Sequence, residues 1–529
     1  MIKRHLRGFA LAAALLLGST AMVRAEMVYH RGNTAEPETL DQHLTSTIYE
    51  SNILRDLYEG LVIDGADGSV QPGVAESWSV SDDGLVYTFK LRDDAKWSNG
   101  DPVTADDFVF SYRRILDPAT GAKYADVLFP IAGAKMFNSG EGRAEDIGVE
   151  AVDSRTVEIT LASATPYFLQ LLTHQTSLPV HPGTVQSNPQ DFTKPGVMVS
   201  NGPYMLDEWV PNSHIKSVRN PNFHDADTVA IDTVYYYPTE DRSAALRRFE
   251  AGELDSNNDG PVEQMDYMRE KLGDTLRIAP YLGTYYYTVN TDKAPFDDVR
   301  VRQALSMVID REFLAHDIWG DTMVAGYSLV PPGIDNYGEP AYFSYKDTPL
   351  LDREDQAIAL MKEAGFGPDH PLEVDIRFNT SENHQKTATA IADMWKPLGV
   401  ETTLTNADTK THYAILRDRG DYDIARAGWI GDYNDPQNFL FLLESDNTGL
   451  NYARYQNPEY DALMHEAAAT VDLDVRAGIL KQAEEIFSRD VPYIPLLYYG
   501  SISLVSDRLK GWEDNLRNVH PSRFMSIGE

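Results

Sequence analysis

"ARAGWIGDYNDP", residues 425–436, ends a strand and opens a turn. The stretch leading into it, "YDIARAGW" (422–429), reads as a strand, and the cluster of Gly431, Asp432, Asn434, Asp435 and Pro436 stops it. Outward from this point the pattern keeps switching between two periods. "LEVDIRF" (372–378) alternates as a strand, and "ENHQKTATAIADMWKPLGV" (382–400) has helical spacing. "REDQAIALMKEAGFG" (353–367) is a helix closing on Gly365, and "DDVRVRQALSMVIDREFL" (297–314) is a helix that starts after Asp297 or Asp298. Strand and helix alternating in this way predict an α/β fold on a mostly parallel sheet. In such sheets ligands sit beyond the carboxyl ends of strands, which makes "GDYNDP" (431–436) the expected binding loop.

The first half is organised differently. "MVYHRG" (27–32) reads as a strand, followed by a helix through "YESNILRDLYEGL" (49–61) with Ile53, Leu54, Leu57 and Leu61 on one face. "LVYTFKLR" (85–92) and "TVEITL" (156–161) alternate as strands, so a separate β-rich domain is expected there. Between them Thr104 is placed to cap a helix whose first turn carries Asp106 and Asp107. At 529 residues the chain is too long for one core, and two or three domains are expected.

Composition narrows the function. Residues 1–25 place Lys3, Arg4 and Arg7 before the apolar run "GFALAAALLLG" (8–18), with a cut expected after Ala25, as in a secretory signal peptide. The chain carries 46 basic against 81 acidic residues, a net charge of −35. Loss of the leader, with its four cations, takes this to −39. Such a surface repels nucleic acid and anionic membranes. No later stretch is apolar enough to span a membrane, so the mature chain is expected to be soluble outside the cytoplasm. With no cysteine, a disulfide framework, a thiol nucleophile and a lipid anchor are excluded.

Catalytic motifs fail. "HEAAA" (465–469) starts like a zinc-protease helix but has Ala469 where the second histidine belongs. "DGADGS" (64–69) lacks the terminal Glu of a calcium loop and reads as a plain turn. No nucleophile elbow or P-loop is present, and neither a cofactor nor a metal site is expected.

"AESWSVSDDGLVYTFKLRDDAKWSNGDPVTADDFVFSYRRILDP" (75–118) resembles the extracytoplasmic solute-binding proteins of family 5, and in particular their oligopeptide-binding members. "SNGPYML" (200–206), "GTYYYTVNTDKAPFDDVRVRQALSMVIDR" (283–311), "ARAGWIGDYNDP" and "VPYIPLLYY" (491–499) follow in family order. The resemblance implies a two-lobed periplasmic binding protein, type II and cluster C-like, with an additional β-rich domain. Domain I would take 26–59, 186–282 and 500–529, domain II 60–185, and the closing lobe, domain III, 283–499. It also implies a periplasmic monomer that binds short peptides without chemistry and hands them to the inner-membrane permease of an ABC importer. Another amine-bearing solute (a murein peptide, an opine or a glutathione-like molecule) is the alternative within the binding class. An extracytoplasmic hydrolase using an unrecognised carboxylate pair is the alternative outside it.

By that resemblance Asp432 would pair with the ligand's amino terminus, although read alone an Asp in such a turn is a solvated turn former. Arg426 and His384 would hold the far carboxylate, His384 reading equally as a satisfied core histidine, with Arg417 a weaker candidate that reads better as a surface charge. Main-chain atoms of Gly428, Trp429 and Ile430, with Ile48 from the first lobe, would pair with an extended peptide. Trp429 would wall a side-chain pocket, Tyr124 would be lent by the extra domain, and Tyr285 to Tyr287 read mainly as core. The chain departs from its relatives at Trp319, where a lysine is common, at Ser46, where an acid is common, and at Thr409, where a tryptophan is common. Gly283 and Ile430 fall where some relatives carry paired cysteines.

Overall fold

The computed structural model describes residues 26–528; the expected signal peptide lies outside the described residues. Local signals set the helix ends. Thr104 caps the helix Ala105–Leu116 in a capping box with Asp107, and the helix buries Phe108, Val109, Tyr112, Ile115 and Leu116 along one face. Asp298 caps Val299–Met307 by accepting from the Arg300 backbone N–H. The helix Leu350–Glu363 is followed by Gly365 at φ +92°, where a side chain would be strained. The first helix stops sooner than its apolar pattern suggests, spanning Ile48–Leu57, although Leu61 beyond it is still buried.

One eleven-stranded sheet runs through the molecule. In spatial order it contains 400–407, 372–379, 424–430, 276–289, 493–505, 256–257, 28–32, 233–237, 214–219 and 204–210, with Val324–Ala325 paired to the side of 493–505. The expectation of a mostly parallel sheet holds for the first three of these strands. The next two, Leu276–Val289 and Tyr493–Val505, pair antiparallel with their neighbours and with each other, so the sheet is mixed. A separate four-stranded antiparallel sheet takes Ala75–Val80, Val86–Leu91, Thr156–Thr160 and Val149–Asp153.

Two large cores flank the long antiparallel pair. One, from Leu282 to Leu497 in sequence, packs the α/β part around Tyr286, Trp395 and Phe487. The other unites Tyr29, Leu54 and Tyr236 with Phe89, Phe108 and Val157, so the small sheet shares its core with the N-terminal strands. The boundaries expected at 282/283 and 499/500 both fall inside the long strands. Their pairing slips between Pro280 and Thr284. In that gap Leu282 keeps its backbone satisfied by donating to the Leu516 carbonyl at 2.8 Å and accepting from the Gly431 N–H at 2.7 Å.

Gly283 and Ile430 are cross-strand partners in this register. A Cβ at Gly283 would lie 2.8 Å from the Trp429 carbonyl oxygen and 2.9 Å from the Tyr499 ring. Gly283→Val is therefore expected to cost about 1–3 kcal/mol by overpacking. Urea unfolding checks this, and an unchanged midpoint would contradict the close approach.

Candidate functional site

The turn at the end of the strand Ile424–Ile430 is fixed from several directions. Asp435 and Arg476 form a buried bidentate ion pair, with N–O distances of 2.8 and 2.7 Å. The Gln437 N–H donates to Asp435 Oδ1, and Asn438 donates to the Tyr433 carbonyl while accepting from the Trp429 indole at 2.9 Å. The Asp335 N–H donates to Asn434 at 3.3 Å. Tyr433 stacks on Tyr167 from the segment after the small sheet, with ring centroids 4.6 Å apart and planes within 6°. Among the described residues Asp432 has no hydrogen bond or ion pair, so the turn holds its backbone and leaves its carboxylate available.

Asp432 opens on a cavity of about 270 Å³ whose walls come from both cores. Tyr124, Asp126, Tyr167 and His174 form one side, and Trp429, Asn438 and Phe441 the other. The Asp432 residue is exposed overall, yet the cavity it lines partly desolvates its carboxyl. That desolvation comes first, Asp126 adds to it, and Arg517 works against it; together they push the carboxyl up to about 6. Arg517 is itself engaged by Asp64 and Thr173.

A second polar centre surrounds Arg426, earlier on the same strand. Its side chain is buried and has no carboxylate partner among the described residues. Its guanidinium donates to the Tyr413 and Tyr499 hydroxyls at 2.8 Å and to Asn379 at 3.2 Å, and it lies over the Tyr285 ring at 4.7 Å. Its Nε is buried without a partner. His384 Nδ1 stands 3.1 Å from the Tyr285 hydroxyl. Burial, then Arg426, then His412 hold that imidazole down at about 3, so it is neutral. A buried cation ringed by neutral hydroxyls retains the capacity to take an anion.

The structure thus joins Tyr124, Trp429 and Asp432 around one cavity, and Arg426 and His384 around Tyr285. Gly428 lies beside the second group, since a Cβ there would come within 2.5 Å of the Tyr499 hydroxyl. Ile430 (37% exposed) and Ile48 (62% exposed) face solvent. Ser46 lies by the N-terminus of the helix Ile48–Leu57, its backbone N–H donating to Glu50. Arg417, in the last turn of Thr409–Arg417, is exposed. Tyr286 and Tyr287 are core as expected, but Tyr285 also belongs to the Arg426 centre. Trp319 is buried, with its indole donating to Thr387 at 3.1 Å, so no cation stands there. Asp126, Tyr167, Tyr413 and Tyr499 escaped the sequence reading, because a lone residue of these types in a strand or loop carries no pattern.

A model of the bacterial extracellular solute-binding proteins, family 5 middle region, matches residues 69–451. The periplasmic oligopeptide-binding protein OppA of Escherichia coli (strain K12) is 36% identical over 98% of this chain and 97% of its own length. The unliganded open form of the murein tripeptide-binding protein MppA superimposes with a TM-score of 0.88 at 36% identity, covering 95% of this chain and 98% of that one. The Haemophilus influenzae OppA complex with RPPGFSPFR gives 0.75, also at 36% identity, over 96% and 100%. The lobes are therefore set more as in the unliganded open form, in keeping with the solvent-facing Ile48 and Ile430.

An ammonium ligand placed against Asp432 stabilises the ionised carboxylate and lowers its pKa from about 6. Binding must then be at full strength above that value and weaken as pH falls below it, by up to about tenfold per unit. A calorimetric titration series from about pH 4.5 to 7.5 tests this, and a flat profile would contradict it.

Proposed function

The chain belongs to the bacterial extracellular solute-binding proteins, family 5, and from that premise we propose that it is the periplasmic binding component of an ABC importer for short peptides. The observation that carries this reading is the polarity of the cleft. An acid without a partner stands beyond the end of the strand Ile424–Ile430, and a cation without an acid stands farther back on the same strand. A peptide is a guest with an ammonium at one end and a carboxylate at the other. On this reading Asp432 meets the first and Arg426, with neutral His384 as a donor, meets the second. The backbone at Gly428 to Ile430 supplies strand-type hydrogen bonds that are indifferent to side chains.

The domain division follows from the same reading. Residues 26–59, 186–282 and 500–529 form the first lobe, 60–185 ride on it, and 283–499 close over the ligand. Closure is favoured because a ligand touching both lobes binds the closed state better than the open one. No bond is made or broken. Among the described residues no helix is long and apolar enough to cross a membrane, and no group of acids and histidines could hold a metal. Release to inner-membrane permease subunits completes the cycle.

A murein tripeptide is the second reading, favoured because the periplasmic murein peptide-binding protein MppA of Escherichia coli is as similar to this chain, 37% identical over 98% of it, as OppA is. Competition between such a tripeptide and a plain one for the same site separates the two.

The test is ligand-induced thermal stabilisation. A tri- or tetrapeptide in large excess over its Kd is expected to stabilise the protein by about 3–4 kcal/mol and raise the Tm accordingly. Asp432→Asn should remove most of that shift, because truncating one side of a desolvated charge pair costs about 2–5 kcal/mol. Arg426→Met should weaken free-acid peptides and narrow their advantage over the C-terminal amides. No shift with any peptide pool would overturn the proposal.

A further inference from the structure

Asp432 is not the only acid lining its cavity. Asp126, in the short 3-10 turn Ala125–Leu128, reaches the same space from the opposite core. Like Asp432, it has no side-chain hydrogen bond or ion pair among the described residues. Both carboxylates act on the hydroxyl of Tyr124, which lines the same cavity. The cation that acts on Asp432, Arg517, is engaged by Asp64 and Thr173. The rest of the lining is chiefly aromatic, including Tyr124, Tyr167, Trp429 and Phe441.

A single ammonium neutralises one of these acids and leaves the other facing it across a narrowing space as the lobes close. Leaving a carboxylate desolvated and unpaired is costly, whereas a second cation turns that cost into attraction. The aromatic walls suit such a group, because they pack against its alkyl stem. Chain geometry says which ligand group arrives there. In a peptide the first side chain leaves from the carbon that bears the α-ammonium. Once that ammonium rests on Asp432, the first side chain is the one that starts inside this cavity.

We propose that Asp126 is a specificity-determining residue and that the cavity it shares with Asp432 selects peptides whose first residue carries a basic side chain, so that two positive charges enter at the amino end. This rests on the peptide-binding reading above and deepens it by naming the substrate class.

The experiment compares two tripeptides of matched stem, Lys-Ala-Ala and norleucine-Ala-Ala, by calorimetric titration of the wild-type protein and of Asp126→Asn. Asp126 is solvent-exposed, and an unchanged Tm of the empty variant confirms its fold. The wild type is expected to favour the lysine peptide by about tenfold or more, the scale of one charge-assisted hydrogen bond. In Asp126→Asn the ratio should collapse to within about twofold. A ratio near one in the wild type, or an unchanged ratio in the variant, would overturn the inference while leaving peptide binding intact. If neither peptide binds the wild type, and a mixed peptide pool also fails, the peptide-binding reading falls together with this one.

Discussion

Two long strands that must stay paired while their ends belong to different cores are the constraint on which this molecule is built. Leu276–Val289 and Tyr493–Val505 run antiparallel from a small core around Leu504, Leu246 and Met268 into the α/β core. Their ladder joins the two bodies and breaks register twice, between Pro280 and Thr284 and between Tyr285 and Tyr286. Leu282, within the first break, bonds both the C-terminal segment at Leu516 and Gly431, the residue before Asp432. The turn that carries the acid is therefore tied by its backbone to the irregular stretch of these strands.

The same economy shapes the electrostatics. Acids dominate the protein overall, yet the two polar centres on the strand Ile424–Ile430 have opposite sign and neither is neutralised by its neighbours. The surrounding structure fixes their positions without quenching them. Asp435 takes up Arg476, so that pair holds the turn and Asp432 stays available. Hydroxyls and an amide, rather than a carboxylate, hold Arg426. Unpaired charges of this kind destabilise an empty protein, and they are retained where a ligand completes them.

Local chemistry was legible in the sequence and long-range pairing was not. Thr104, Asp298 and Gly365 marked helix ends because capping and positive φ depend on one or two residues. The turn at 431–436 was visible for the same reason. The antiparallel crossing strands were hidden inside an apparently parallel α/β pattern, since the direction of pairing leaves no trace in period-two alternation. Arg426 and Asp432 could be singled out through family resemblance. Asp126, Tyr413 and Tyr499 could not, because their meeting with those residues is purely tertiary. Arg417, the weaker candidate, lies in the last turn of a short helix and stays in solvent, as its surface-charge reading had it.

The most direct test of the account is a crystal structure of the protein with a bound tripeptide. The account predicts a closed cleft in which the ligand's amino nitrogen lies within about 3 Å of an Asp432 carboxylate oxygen, a charge-assisted hydrogen bond. A closed, occupied cleft with that carboxylate turned to bulk water, and the amino group bound elsewhere, would contradict it.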